Sequence, residues 1–420
     1  MGPISLQRVK TSLLTPEDLV VGSLLVLPYL VYPALLGLLG FLGLSLQRWG
    51  QAVGQLLYGQ GWGWLGLGLI LSTLGSQAPG ESVLQLTNFL PFFGLYGAIA
   101  IALINLQQPL ATLRTWALVL LLATIPINLR AVLEYYLNAP ENYSRWLNLP
   151  WLQWLYGGIY YGHRASSVFG HPNVLASYMV MVFGLGLGLC AYCLQTSQRR
   201  RLTLWIYAAT CLSLVGIFCS GSRNGLLVAG VQVLLFFALV QPARPVLLAG
   251  LGSLATVAAC TLIWGVGGRS LAESFSTITL RLDVWQVAWQ MIPNHPWLGT
   301  GLGTFKLLYE PHAVPLYDSL GHAHNLWLML ALEAGIPVAL GFTIIVGWIM
   351  VQGSQHLLDA TIAKAPKAIL AGYFIGFGGN VLFAIFDLAF YDARANVLGW
   401  LMLAVIQAIP TLTSAPNRLD

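Results

Sequence analysis

Between Leu19 and Pro410 the chain returns again and again to apolar tracts near or above the roughly 20 residues that cross the hydrocarbon core of a bilayer. In lipid such tracts must satisfy their own backbone hydrogen bonds, which only helices and closed barrels do, and a barrel would show short alternating segments instead. Of the 420 residues 57% are hydrophobic and only 8% charged, whereas about a quarter are charged in soluble domains. The fold class is therefore an all-α integral membrane protein. The formal charge of +5 implies no nucleic-acid partner, because the arginines stand between spans with no basic domain and no aromatic-basic groove.

The tracts read as spans near 61–75, 83–106, 115–137, 173–194, 202–219, 225–240, 246–266, 325–350, 368–387 and 395–410. Residues 19–46 come before them, and Pro28 and Pro33 either split this tract into a tight hairpin or kink one long helix. The basic run Arg199 to Arg201 marks a cytoplasmic loop, and counting spans outward puts Arg114, Arg244, Lys364 and Lys367 on the same side. A cytoplasmic N-terminus then requires 19–46 to cross twice, giving about twelve spans. No small-residue cleavage site follows the basic N-terminal stretch, so the first span is expected to be retained. The expected division is a cytoplasmic segment 1–18, transmembrane helices over 19–266 with an external loop 138–172, a large external segment 267–323, transmembrane helices over 324–410 and a cytoplasmic tail 411–420.

Polar groups gather on the face opposite the basic loops. His163, His171, His295, His312, His322 and His324 fall there, as do Arg164, Arg223, Arg269, Arg281 and Arg394. Arginine is disfavoured in translocated short loops, so each needs a local reason, and an anionic ligand would supply one. In "YYGHRASSVFGHPNVLASYMV", Arg164 precedes a helix start at which Asn173 and the N-terminal amides could help to hold a phosphate; alternatively, Arg164 snorkels to the headgroups. In "FCSGSRNGLLVAG", glycines and small polar residues let a turn sink toward a cavity carrying Arg223, a fork of donors suited to diphosphate; alternatively, it is a connecting turn with an exposed charge.

The segment 267–323 has helical spacing at Leu280, Val284, Val287, Ala288 and Met291, with Arg281 beside Asp283, Trp285 and Trp289. It is expected to form an amphipathic helix at the outer leaflet with its tryptophans as interface anchors. "GTGLGT" has no βαβ context and reads as a turn against the membrane surface. At "GHAHNLWLMLALEAGI", His324 and Asn325 stand where this segment enters a span, and His324 is suited either to accept a proton from an attacking hydroxyl or to cap the helix. No carboxylate or cysteine stands at ligand spacing from His322 and His324, so no metal is expected there. Glu333, half a turn out of phase with His324, meets another span or an arginine. Asp387, Asp392, Arg394 and Asn396 form either an ion-pair network or the far wall of the same cavity. The five cysteines lie in apolar tracts, which favours packing over disulfides or metal.

"HNLWLMLALEAGI", preceded by "RLDVWQVAWQMIPNHPWLGTGLGTF" and by the isolated arginines of "HRASSVFGHPNVLASYM" and "SGSRNG", resembles the O-antigen ligase and O-antigen polymerase superfamily of GT-C-type membrane glycosyltransferases. The resemblance runs from about Arg164 to Trp400. His324, Asn325 and Gly335 follow the ligase pattern, whereas Val338 takes the place of its second glycine.

The resemblance implies metal-independent transfer, without a cofactor, of a glycan from undecaprenyl diphosphate to an acceptor hydroxyl. The acceptor would be lipid A-core for a ligase or another glycan for a polymerase, and the site would face the periplasm from the bacterial inner membrane. It implies that Arg164 and Arg223 bind the diphosphate, that Arg281 assists, and that His324 orients or deprotonates the acceptor. Asn173, Asn325, Asp392 and Arg394 are the further substrate-binding candidates. An anion transporter of the bicarbonate type is the alternative, although it should place polar or broken helices near the midplane. A scaffold with purely structural outer charges is a third reading.

Overall fold

The computed structural model describes residues 15–138, 161–240, 244–266, 271–309, 321–388 and 390–414. Its first half runs α1 (Pro16–Val26), α2 (Val31–Gly59), α3 (Trp62–Leu74), α4 (Pro79–Leu86), α5 (Leu90–Asn105), α6 (Pro109–Ala123), α7 (Ile125–Leu137), α8 (Pro172–Gln195) and α9 (Arg200–Cys219). The second half runs α10 (Arg223–Val240), α11 (Arg244–Trp264), α12 (Leu271–Met291), α13 (Phe305–Tyr309), α14 (Leu326–Glu333), α15 (Ile336–Leu358), α16 (Lys364–Phe383) and α17 (Ala393–Ser414).

Among the described residues eight helical segments are long and apolar enough to cross a membrane: α2, α4–α5, α6–α7, α8, α9, α10, α15 and α17. The chain is thus an all-α multi-pass membrane protein. Four of the twelve expected crossings do not meet that measure, for local reasons. Residues 19–46 do form a hairpin, but α1 has only 11 residues and rises about 16 Å, half the hydrocarbon thickness. Its start is fixed by a capping box between Thr15 and Asp18, and Gly37 of α2 comes back against Ser23. α3 is 13 residues long, and α11 has only a shorter apolar stretch. α16 begins with Lys364 and Lys367, yet most of its length is buried inside the bundle.

The expected span over 325–350 is two helices. Gly335 has φ +91°, a conformation open to glycine, and it ends α14 so that the crossing helix starts at Ile336.

The bundle is tightest where α8 lies on α16. Gly184 and Gly188 face Gly376 and Gly372, and a Cβ added at Gly184 would come within 2.5 Å of the Gly376 Cα. Small residues four apart on both helices let the backbones touch, which is how helices associate where burial in lipid gives no hydrophobic drive. Gln232 of α10 reaches into the same contact and donates through Nε2 to Val180 O at 2.9 Å and Ile375 O at 3.1 Å. This rigid trio carries the loops of the candidate site at one end and the basic run at Arg199 to Arg201 at the other.

Candidate active site

Five pieces of chain meet at that end of the bundle: the loop 161–171, the turn 220–222, helix α12, the segment 321–325, and the turn after α16. Asp387, in this last turn, joins them. Its Oδ1 lies 3.4 Å from His324 Nδ1 and accepts from its own neighbour Leu388 N at 2.8 Å. Its Oδ2 accepts from Arg281 Nη2 at 3.4 Å and from the Asn173 side-chain amide. Asn173 in turn accepts from Arg164 Nη2, and Arg164 Nε donates to Ser220 O at 2.9 Å, in the turn that leads to Arg223 at the start of α10.

Local structure explains how each side chain arrives there. His171 caps α8, its Nδ1 accepting from Asn173 N at 3.1 Å, which leaves the Asn173 amide to face Asp387. Gly221 at φ +64° turns the chain sharply between α9 and α10, and the Asn224 amide donates to Phe383 O at 2.9 Å, tying that turn to the end of α16. His324 has φ +52°, a strained backbone for a residue with a Cβ, and its amide donates to His322 Nδ1 at 3.2 Å. Such strain in a cleft is characteristic of functional positions. Glu134 of α7 holds the loop that bears Arg164, accepting from Ser166 N at 3.0 Å and Ser167 N at 2.7 Å while pairing with Arg130 at 2.8 Å.

Asp387 is 5% exposed. Burial by itself would raise its carboxyl, but the hydrogen bond and charge of His324, with His322 and Arg281 behind them, hold it well below the usual carboxylate range. It is thus held as an anion beside the Arg281 guanidinium. Burial, then the charge of His324, pushes the His322 imidazole down to about 4, so it stays neutral. His171 is also lowered, chiefly by burial.

His322, His324 and Asp387 each offer one ligand atom, all within 4.8 Å of one another. Sequence spacing could not show this, because the carboxylate lies 63 positions from His324. The guanidinium of Arg281 on the same carboxylate opposes a divalent cation there, since like charges repel most where water is excluded.

Arg164, Arg281, Asn173 and His324 thus come together as substrate or catalytic candidates, with Arg223 on the adjoining turn. Other residues are engaged elsewhere. Asn325 caps α14, accepting from Leu328 N at 3.0 Å, and donates to Ile385 O at 3.0 Å. Arg394 and Asp392 pair through Nη2 and Oδ2 at 2.8 Å; Arg394 also donates to Val168 O at 2.8 Å and lies 4.3 Å over the Phe169 ring. That is the ion-pair network, one of the two readings open from the sequence.

α12 buries Val284 and Ala288, but Ile278, Leu282 and Trp289 are exposed, so its outer face is largely apolar rather than polar. Trp285 stacks on Phe386 at 5.7 Å, one residue from Asp387. Arg269 and His312 lie outside the described residues. "GTGLGT" packs against the bundle, with Thr300, Leu302 and Thr304 buried and Leu302 O accepting from Ser82 Oγ of α4 at 2.7 Å. Glu333 pairs with no arginine among the described residues: its carboxylate accepts from Phe305 N at the end of that loop, at 3.0 Å, and its backbone carbonyl meets α3, accepting from Ser72 Oγ at 2.8 Å.

Residues 208–343 match the family model described as O-antigen ligase. This segment belongs to the O-antigen ligase family. It carries Arg223, Arg281, His324 and Asn325, whereas Arg164, Asn173 and Asp387 lie outside it and are joined to it by the contacts above. O-antigen ligase membership is consistent with an enzyme of glycan transfer. No curated protein matches the chain.

Proposed function

We propose that the protein transfers a glycan from a polyprenyl-diphosphate carrier, of the undecaprenyl type, to an acceptor hydroxyl at the periplasmic face of a bacterial inner membrane. The observation that carries this reading is the Asp387 junction, which joins a histidine to two arginines at one mouth of the bundle. In its Nδ1–H tautomer His324 donates to Asp387, and Nε2 is then the acceptor for the proton of the attacking hydroxyl. The hydroxyl oxygen bonds to the anomeric carbon as the bond from that carbon to the diphosphate breaks. The proton goes to His324, and the electron pair leaves with the diphosphate. Arg164, Arg223 and Arg281 supply the fixed positive charge that this departure needs, in the role a metal plays elsewhere.

The carrier's prenyl chain has a route from this site. An apolar groove of about 420 Å³ begins at Leu326, Trp327 and Ala384, beside His324 and Asp387, and runs along α15, α16 and α17 to Met350, Phe374 and Leu403. In this reading the eight spans, with the shorter or more polar α1, α3, α11 and α16 packed beside them, form a GT-C-type bundle whose Arg199 to Arg201 loop faces the cytoplasm. The acceptor, lipid A-core or a growing glycan, distinguishes ligase from polymerase.

The test is transfer from purified undecaprenyl-diphosphate-linked glycan onto lipid A-core and onto carrier-linked glycan, in detergent without divalent metal, by wild type, Arg223→Ala and His324→Ala. Transfer by wild type and its loss in both variants supports the reading. Variants that keep wild-type rates sink it.

A further inference from the structure

Glu333 is the most deeply buried carboxyl in the described chain that the proposed chemistry leaves unused, at 1% exposure, and it stands at the far end of the helix that begins beside His324. Its Oε1 accepts from Phe305 N at 3.0 Å, and its Oε2 from the Tyr391 hydroxyl at 3.3 Å. Its backbone carbonyl accepts from Gly301 N at 2.9 Å and from Ser72 Oγ of α3 at 2.8 Å, while Leu332 O accepts from Thr300 N at 3.0 Å. Gly299 and Gly335 permit this closeness: a Cβ on Gly299 would lie 2.3 Å from the Glu333 carbonyl carbon, and one on Gly335 would lie 2.3 Å from Trp297 O.

These contacts join three pieces of chain that supply the Asp387 junction. The loop 299–305 continues from α12, which bears Arg281. α14 follows His324, and Tyr391 sits four residues beyond Asp387.

We propose that Glu333 is a positioning residue: a buried latch that holds the Arg281 segment, the His324 helix and the Asp387 turn in the register at which their side chains meet. This rests on the proposed transfer reaction, whose chemistry it serves without touching substrate.

The latch is proton-linked. Burial raises the Glu333 carboxyl to about 7, against the Phe305 and Gly303 amides and the Tyr391 hydroxyl, with Glu81 of α4 adding to the rise. The Glu81 charge is paired with Lys306 of α13 at 3.0 Å, and Tyr391 is itself raised well above its ordinary value by burial and by Glu333. The latched state therefore holds its proton more tightly than a released one. Its stability is complete below the ordinary glutamate value and is lost as the pH rises through about 7. In the neutral form Oε1 still accepts from Phe305 and Oε2 carries a proton for the Tyr391 oxygen, an arrangement that glutamine reproduces.

The experiment compares full-length wild type, Glu333→Gln, Glu333→Ala and Tyr391→Phe in detergent from pH 5.5 to pH 8.5. Hydrogen exchange, corrected for intrinsic rate, is followed by mass spectrometry on segments 300–305 and 385–388, beside transfer kinetics. In wild type, exchange in the two segments rises together above about pH 7, and it stays flat in Glu333→Gln. Glu333→Ala raises both at every pH and lowers kcat roughly 10–100-fold, which Glu333→Gln restores to within about threefold. Tyr391→Phe raises exchange without emptying the core, and keeps the test open if the alanine variant does not fold. Identical pH profiles for wild type and Glu333→Gln, or released segments with kcat within about twofold, overturn the latch. The exchange readout needs no donor, so it stands or falls apart from the transfer reading, which His324→Ala tests.

Discussion

His324 Nδ1 lies 3.4 Å from Asp387 Oδ1, across a gap of 63 positions in sequence, and the same carboxylate takes Arg281 on its other oxygen. A carboxylate so placed fixes the imidazole tautomer and stabilises the imidazolium that forms when a hydroxyl gives up its proton. Asp387→Asn keeps the shape and removes the charge. It is expected to lower kcat for transfer roughly 10²–10⁴-fold while the donor KM moves by less than about tenfold, as measured by initial rates on the folded variant.

Arg394 belongs to a different category. Its guanidinium holds Asp392, Val168 O and the Phe169 ring, joining α17 to the loop that carries Arg164. Arg394→Ala leaves a carboxylate without its partner in a poorly hydrated place, at a cost of about 3–5 kcal/mol. A lower midpoint of thermal unfolding is expected, with kcat of the surviving folded fraction within a few-fold of wild type. Selective loss of donor binding, without loss of stability, would instead return Arg394 to the substrate wall.

What could be read from the sequence follows from the range of each signal. Span positions were legible because hydropathy is local: the tracts at 173–194 and 202–219 became α8 and α9 with almost the same limits. The histidine and the arginines stood out because charge is rare in such a chain, and Arg164, Arg281 and His324 do converge. Asp387 could be listed as polar but not ranked above Asp392, because its role depends on packing between α16, α12 and the 321–325 segment. The same limit concealed the break at Gly335, where only the left-handed backbone shows that the span is two helices. Glu333 was visible as an anomaly, but its partners, the Phe305 amide and the Tyr391 hydroxyl, reach it only through packing, which carries no local sequence signal.

The loop 299–305 is held by geometry as much as by hydrogen bonds. Gly299→Ala would bring a Cβ to 2.3 Å from the Glu333 carbonyl carbon at φ +68°, so backbone must move. The expected cost is at least about 2–3 kcal/mol, read as a lower unfolding midpoint together with faster exchange over 300–305. An unchanged midpoint would mean that this loop yields easily and that the α14 junction is not rigid.

Chelation distinguishes arginine-based from metal-based departure of the diphosphate. With Arg281 on Asp387, millimolar EDTA is expected to leave the transfer rate of purified enzyme unchanged. A loss that is reversed by adding back a divalent ion, and abolished in His322→Ala, would turn the His322, His324 and Asp387 group into a working metal site.

The central claim is that Asp387 acts through His324. Single-turnover transfer by His324→Ala, Asp387→Asn and the double variant tests it most directly. If the two form one unit, the double variant is no slower than His324→Ala alone, because Asp387 has nothing left to orient. If the two losses multiply, Asp387 serves the reaction by some other route and the account of the site is wrong.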